Sequence, residues 1–151
     1  MNLYLVRHGD ALSDAQDPAR ALSPNGRREL EQLAGALAPH IRATTIVHSG
    51  KTRAEQSAEI LRAKALTNAS VEVQAGLNPN DDVAGMADAL QHESRELVVV
   101  GHLPYVSRLA SLLTCGDAER TVFAFDTGTC LALERLGTNW CVRWMLDPRL
   151  L

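Results

Sequence analysis

The sequence predicts an α/β fold, a three-layer α/β/α sandwich around a mostly parallel central sheet. Two observations carry this. Short apolar or β-branched runs alternate with stretches of helical spacing along most of the chain, the pattern of repeated β-α-β units. The run Leu97-Val98-Val99-Val100 is apolar throughout rather than alternating, as expected of a parallel strand covered on both faces.

The elements follow in order. Leu3-Tyr4-Leu5-Val6 reads as a first strand, and a polar loop rich in Asp, Ser and Ala extends over residues 10–20. Ser23-Pro24 offers an N-cap and a first-turn proline, after which Leu30, Leu33, Leu37 and Ile41 continue at helical spacing. Thr44-Thr45-Ile46-Val47 is β-branched and reads as a second strand. Ala54, Ala58, Leu61 and Ala65 mark one face of the next helix, Val71-Glu72-Val73 a third strand, and residues 82–92 a further helix. After the strand at 97–100, Gly101-His102-Leu103-Pro104 breaks the pattern, and Val106, Leu109, Ala110 and Leu113 restart helical spacing. In the tail, residues 122–125, 130–136 and 140–146 are β-like and are expected to complete the sheet with at least one antiparallel strand.

Composition restricts the function classes. A chain of 151 residues with 46% hydrophobic and 22% charged residues suits one globular domain over 1–151. The net charge of −3 provides no broad basic field, so neither nucleic acid nor a membrane surface is expected as a partner. Cys115, Cys130 and Cys141 lack paired spacing and read as reduced cysteines that pack as small hydrophobes. No run approaches a membrane span and Arg7 comes too early for a signal peptide, so the expected location is cytoplasmic.

The chemistry concentrates where strands end. Arg7-His8-Gly9 closes the first strand, and Gly9 permits a sharp exit there. Ser49 to Arg53 follow the second, and His102 follows the 97–100 strand directly. In a parallel sheet these positions share the carboxyl edge, where open α/β sheets keep their ligands. Two arginine forks match the oxygens of a phosphoryl dianion, and helices beginning near that edge favour anions further. Positive neighbours disfavour imidazolium, leaving a neutral nucleophilic imidazole for in-line attack on phosphorus. Spacing leaves open which histidine attacks. His40, His48 and His92 have no motif around them and read as structural. A metal held by His8, His102 and Asp10 would be repelled by the arginines, so neither metal nor cofactor is expected.

Four ordered motifs carry a family resemblance. Arg7-His8-Gly9 resembles the Arg-His-Gly signature of the histidine phosphatase superfamily, which includes phosphoglycerate mutases and acid phosphatases. Arg20-Ala21-Leu22-Ser23-Pro24-Asn25-Gly26 resembles its Arg-Pro-Leu-Thr-x-x-Gly segment, and Gly101-His102-Leu103-Pro104 its Gly-His-x-Pro segment. Residues 49–57 resemble Ser-Pro-x-x-Arg-Ala-x-Gln-Thr, with Gly50 in place of proline. The small size and the wording around His8 and His102 are most similar to the SixA-type phosphohistidine phosphatases. The resemblance implies a phosphoglycerate mutase-like fold, His8 as nucleophile, and Arg7, Arg53 and His102 as the phosphate pocket.

One departure bears on substrate. Many relatives carry a glutamate after the third strand, and Gln74-Ala75-Gly76-Leu77-Asn78-Pro79 has no carboxylate. An alkoxide leaving group needs a proton donor, whereas imidazole leaves neutral from a protonated phosphohistidine. A phosphorylated protein bearing phosphohistidine is therefore the expected substrate, and small phosphate esters such as sugar or nucleotide phosphates are the alternative. A phosphate-binding module without turnover is the third reading. Asp10, Arg20 and Ser49 are candidates for a general acid or for support around the pocket, and Asp81 and Asp82 are further carboxylates within reach in sequence.

Overall fold

A computed structural model describes residues 1–151. Six strands form one sheet: β1 (Asn2–Arg7), β2 (Thr45–His48), β3 (Ser70–Val73), β4 (Leu97–Gly101), β5 (Cys130–Leu136) and β6 (Asn139–Leu146). Four helices accompany them: α1 (Pro24–Leu37), α2 (Thr52–Lys64), α3 (Ala84–His92) and α4 (Tyr105–Cys115). The strand order is β3-β2-β4-β1-β5-β6. The first four strands are mutually parallel, while β5 and β6 add as an antiparallel hairpin beside β1.

Strand pleating divides the core. Tyr4 and Val6 of β1, with Val98 and Val100 of β4, face Leu30, Leu33, Leu37, Ala54, Ala58 and Leu61 of α1 and α2. Their neighbours Leu3, Leu5, Leu97 and Val99 face Met86, Leu90, Val106 and Leu109 of α3 and α4. Successive side chains point to opposite faces, so a strand covered on both must be apolar at every position. That is why β4 reads as a continuous run, and all five of its residues are buried. β3 lies at the sheet edge, where Val73 is 68% exposed.

The structure departs from expectation in four places. Residues 122–125 are irregular rather than a strand, because the position beside β1 is taken by β5; Phe125 serves instead as a buried anchor. Ile41 is buried but lies beyond α1, which stops at Leu37 ahead of Pro39. Helix α3 begins at Ala84, since Asp82 turns back to accept a hydrogen bond from the Ala84 amide. Of the cysteines only Cys130 packs inside; Cys115 and Cys141 are exposed, and all three are free.

The start of α1 is locked to the loop that carries His8. Ser23 caps the helix by accepting from the Gly26 amide at 3.0 Å, and its own amide donates to the Asp10 carbonyl at 2.9 Å. The Ser23 hydroxyl also donates to the Asp10 carboxylate at 2.5 Å. Gly26 stands so close that a Cβ there would lie 2.1 Å from the Asp10 carbonyl oxygen, whereas one at Gly35 of the same helix meets nothing within 4 Å. Gly26→Ala should therefore destabilise by about 1–3 kcal/mol through overpacking against backbone. Gly35→Ala should stabilise by about 0.5–1 kcal/mol. Urea unfolding of the two variants measures both, and equal effects would remove the packing argument.

Candidate active site

Three strand ends build the site. Parallel pairing sets Arg7 of β1 opposite Gly101 of β4, and the His8 amide donates to the Gly101 carbonyl at 3.0 Å. The residues just beyond these pairs, His8 and His102, come together with ring centroids 5.0 Å apart and planes inclined by 52°. On the far side of β4, β2 ends at His48 and the chain turns into α2. Arg53, in the first turn of α2, aims its Nε at His8 Nε2 from 3.4 Å. Ser49 Oγ lies 2.6 Å from His102 Nε2.

The hydrogen bonds fix the proton on His8. Its Nδ1 lies 2.7 Å from the Gly9 carbonyl oxygen, which can only accept. Nδ1 therefore carries the hydrogen, and Nε2 keeps its lone pair beside the Arg53 N–H. His102 Nδ1 is buried without a partner in the protein. Such orphans are rare in native interiors and point to a ligand or a function.

Burial, more than neighbouring charge, keeps both rings neutral. From the sequence, the neighbouring arginines alone are expected to keep the rings neutral. In the structure desolvation comes first for His8, which is pushed down to about 4, with Arg53, Arg7 and Arg20 adding to the effect against the Gly9 hydrogen bond. His102 is pushed down to about 3, again first by burial and then by His8, Arg53, Lys51 and Arg20. Two neutral imidazoles flanked by guanidinium groups form a pocket complementary to a tetrahedral oxyanion.

The other predicted residues are placed differently. Arg7 donates through Nη1 to the Phe125 carbonyl at 2.8 Å, so the irregular 122–125 segment orients the guanidinium. Asp10 is engaged by Ser23, and it lies near enough to Arg7 to favour its charged form, as Asp126 does more strongly. Arg20 donates its Nε to the Leu12 carbonyl at 3.1 Å and has a positive φ of 51°. Asp81 accepts from the Asn78 amide and Asp82 from that of Ala84, which commits both to turns. His48 is buried and accepts from the Gly50 amide. A cleft of about 600 Å3 opens beside Arg7, between the start of α4 and the 118–126 segment. No three His, Cys, Asp or Glu side chains are grouped as metal ligands.

Two further residues of the 49–57 motif, to which the sequence alone gives no role, connect the elements. Ser57 Oγ donates to the Arg53 carbonyl at 2.7 Å and accepts from the Gly9 amide at 3.0 Å, tying α2 to the His8 loop. Gln56 Oε1 accepts from the Leu22 amide at 2.8 Å and ties α2 to the start of α1. Beyond the motif, Gln56 and Ser57 follow Arg53 by three and four residues, about one helical turn.

Comparison with known proteins identifies the family. The profile of the histidine phosphatase superfamily (branch 1) matches residues 3–81, just over half of the chain. The chain belongs to this superfamily. No curated protein sequence matches it. Among solved structures, this histidine phosphatase is similar to the protein histidine phosphatase SixA complexed with tungstate, at 29% identity and TM-score 0.87 over 99% of both chains. It shares its fold with a putative SixA from Agrobacterium tumefaciens, at 21% identity and TM-score 0.80 over 97% of each chain. It also shares its fold with a putative alpha-ribazole-5'-P phosphatase from Escherichia coli, at 17% identity and TM-score 0.80 over 98% of each chain. The chain is accordingly a phosphatase with a phosphoglycerate mutase-like α/β fold. No helix is long and apolar enough to cross a membrane.

The buried imidazoles make stability depend on pH. Unfolded histidines titrate near about 6.5. Below that value the unfolded chain binds protons that His8 and His102 refuse in the fold until about 4 and about 3. Stability is therefore full above about 6.5 and falls as the pH drops, by up to about 1.4 kcal/mol per pH unit for each histidine. Glu93, held low mainly by Arg95, is lost only below its ordinary value of 4.5, so the range above that belongs to the histidines. Urea midpoints measured from pH 7.5 to 5 in phosphate-free buffer will show this slope, and His102→Asn will reduce it. A flat profile would mean that the rings are not buried neutral.

Proposed function

We propose that this phosphatase removes the phosphoryl group from phosphohistidine on a partner protein through a covalent intermediate at His8. The observation that carries the reading is the tautomer of His8. Its Nδ1–H is held by the Gly9 carbonyl, and its unprotonated Nε2 accepts a long hydrogen bond from Arg53 at 3.4 Å in a ring that burial keeps neutral.

In the first step Nε2 attacks phosphorus in line as the bond from phosphorus to the substrate imidazole breaks. The substrate ring, protonated on its other nitrogen, takes the bonding pair and departs neutral. Arg7, Arg53 and the Nδ1 side of His102 hold the equatorial oxygens, whose charge is greatest in the transition state. The phosphorylated His8 retains its proton on Nδ1, and the Gly9 carbonyl stabilises the resulting positive ring. Water then attacks phosphorus, the pair of the P–N bond returns to Nε2, and the water protons leave with inorganic phosphate. No carboxylate is required to protonate a leaving group. This suits a chain in which residues 74–79 have none, and in which Asp10, Asp81 and Asp82 are bound to Ser23, Asn78 and Ala84. Asp10 and Ser49 then act as supports, Asp10 for the His8 loop and Ser49 for the orientation of His102.

Small phosphomonoesters form the second reading. The cleft beside Arg7 has room for a metabolite, and fold neighbours include a phosphoserine phosphatase from Entamoeba histolytica.

Acid-sensitive phosphate trapping tests the mechanism. Mixing with a 32P-phosphohistidine protein and quenching in alkali should yield a labelled chain whose label is lost in acid. His8→Ala should abolish the label and lower kcat by at least about a thousandfold, while Arg53→Ala and His102→Ala should lower it by about 100- to 1000-fold. Unchanged turnover in His8→Ala would refute covalent catalysis. Hydrolysis of esters without hydrolysis of phosphohistidine would refute the substrate.

A further inference from the structure

A second cleft, of about 430 Å3, lies between the 10–20 loop and the start of α2. It is lined by Arg53, which also meets His8, and by Asp14, Arg20, Lys51 and Thr52 among others. Three cations meet there. The ion pairs of the protein join Arg62 to Glu59, Arg95 to Glu93, Arg108 to Glu119, Arg143 to Glu134, and Arg149 to Asp126 and Asp147. Arg20, Lys51 and Arg53 belong to none of them, and Asp14 is the single acidic residue in the lining.

These charges feel one another. Burial first and Arg20 second make Arg53 harder to keep charged, with Asp14 acting the other way, and Lys51 and Arg20 both add to the effect of burial on His102. Lys51 is also the N-cap of α2 and makes no side-chain cap bond. Capping positions favour Ser, Thr, Asp or Asn, and the helix dipole there opposes a positive charge. Arg20 is held in place by the Leu12 carbonyl despite its left-handed backbone. A chain with net charge −3 thus sets three positive charges against one negative at one cleft, against local preference at two of the three positions. Rules broken together in this way mark functional surfaces, and an anion between the three groups relieves their repulsion.

We infer that this cleft is a second anion subsite, which receives a carboxylate or phosphate carried by the same substrate as the scissile phosphoryl group. Arg53 joins the two positions, because it lines the cleft and also donates to His8. For a phosphohistidine protein the second anion is an acidic side chain flanking the phosphohistidine. For a small molecule it is a second acidic group. The inference rests on the reading of His8 as phosphoryl acceptor only in placing the first anion.

The test uses the full chain, its Lys51→Gln and Lys51→Glu variants, and matched probes. Two phosphohistidine peptides differ only in having Glu or Gln beside the phosphohistidine, and carboxyphenyl phosphate is paired with phenyl phosphate. The wild type should show a KM about 5- to 20-fold lower for the acidic member of each pair, with similar kcat. Lys51→Gln should erase that preference without changing kcat on phenyl phosphate, and Lys51→Glu should reverse it. Raising the salt to 0.5 M should shrink the preference in the wild type alone. Pyrophosphate should raise the Tm of the wild type more than orthophosphate does, and the excess should vanish in Lys51→Gln, which folds at least as stably without anions. Equal KM values within each wild-type pair, or a preference retained in Lys51→Gln, would overturn the subsite. Preference for carboxyphenyl phosphate with no turnover of either peptide would keep the subsite and reject the phosphohistidine substrate.

Discussion

The site depends on one backbone register. Parallel pairing of β1 with β4 sets Arg7 against Gly101, and the hydrogen bond from the His8 amide to the Gly101 carbonyl extends that ladder one residue further. A shift of one residue would turn every side chain of β1 to the opposite face and carry His8 away from His102. The register is held because both faces of β1 and β4 are buried, each by a different pair of helices. Core packing and site geometry are therefore one constraint.

Burial that stabilises the core also sets the chemistry. His8 and His102 lie at the end of a dry sheet, and desolvation lowers the proton affinity of both before any arginine contributes. The arginines then serve as oxyanion partners rather than as the chief regulators of the histidines. Arg7 and Arg53 themselves lose some affinity for their protons by the same burial. Asp126 and Asp10 offset part of this for Arg7 and Asp14 for Arg53, and a bound oxyanion adds further opposite charge.

Backbone strain and two of the six buried polar atoms without partners lie at this edge. Arg20 occupies a left-handed backbone position, and His102 Nδ1 and Arg7 Nε are buried without partners. Each such feature costs about 1–3 kcal/mol where no ligand compensates. The surrounding framework is correspondingly firm: Ser57 links Arg53 to Gly9, Gln56 links α2 to Leu22, and Ser23 links α1 to Asp10. Preorganised groups of this kind need not reorganise as charge develops on a reacting phosphoryl group.

Much of this was written in the sequence. The continuous run of β4, the Ser23 cap with Pro24, and the helical spacing of α1, α2 and α4 determined the α/β class, because periodicity records which faces are buried. Parallel order then brought Arg7, His8, Arg53 and His102 to one edge, as their positions after apolar runs implied. Other features had no local signal. Residues 122–125 have strand-like side chains, but only the occupation of the neighbouring position by β5 leaves them irregular and frees the Phe125 carbonyl for Arg7. The tautomer of His8, the engagement of Asp10 by Ser23 and the convergence of Lys51 with Arg20 are likewise long-range or geometric facts. By itself the sequence determined which residue types stand at the strand ends. Tertiary structure decided their protonation, partners and spacing, because desolvation and hydrogen bonding act between segments that only the folded sheet brings together.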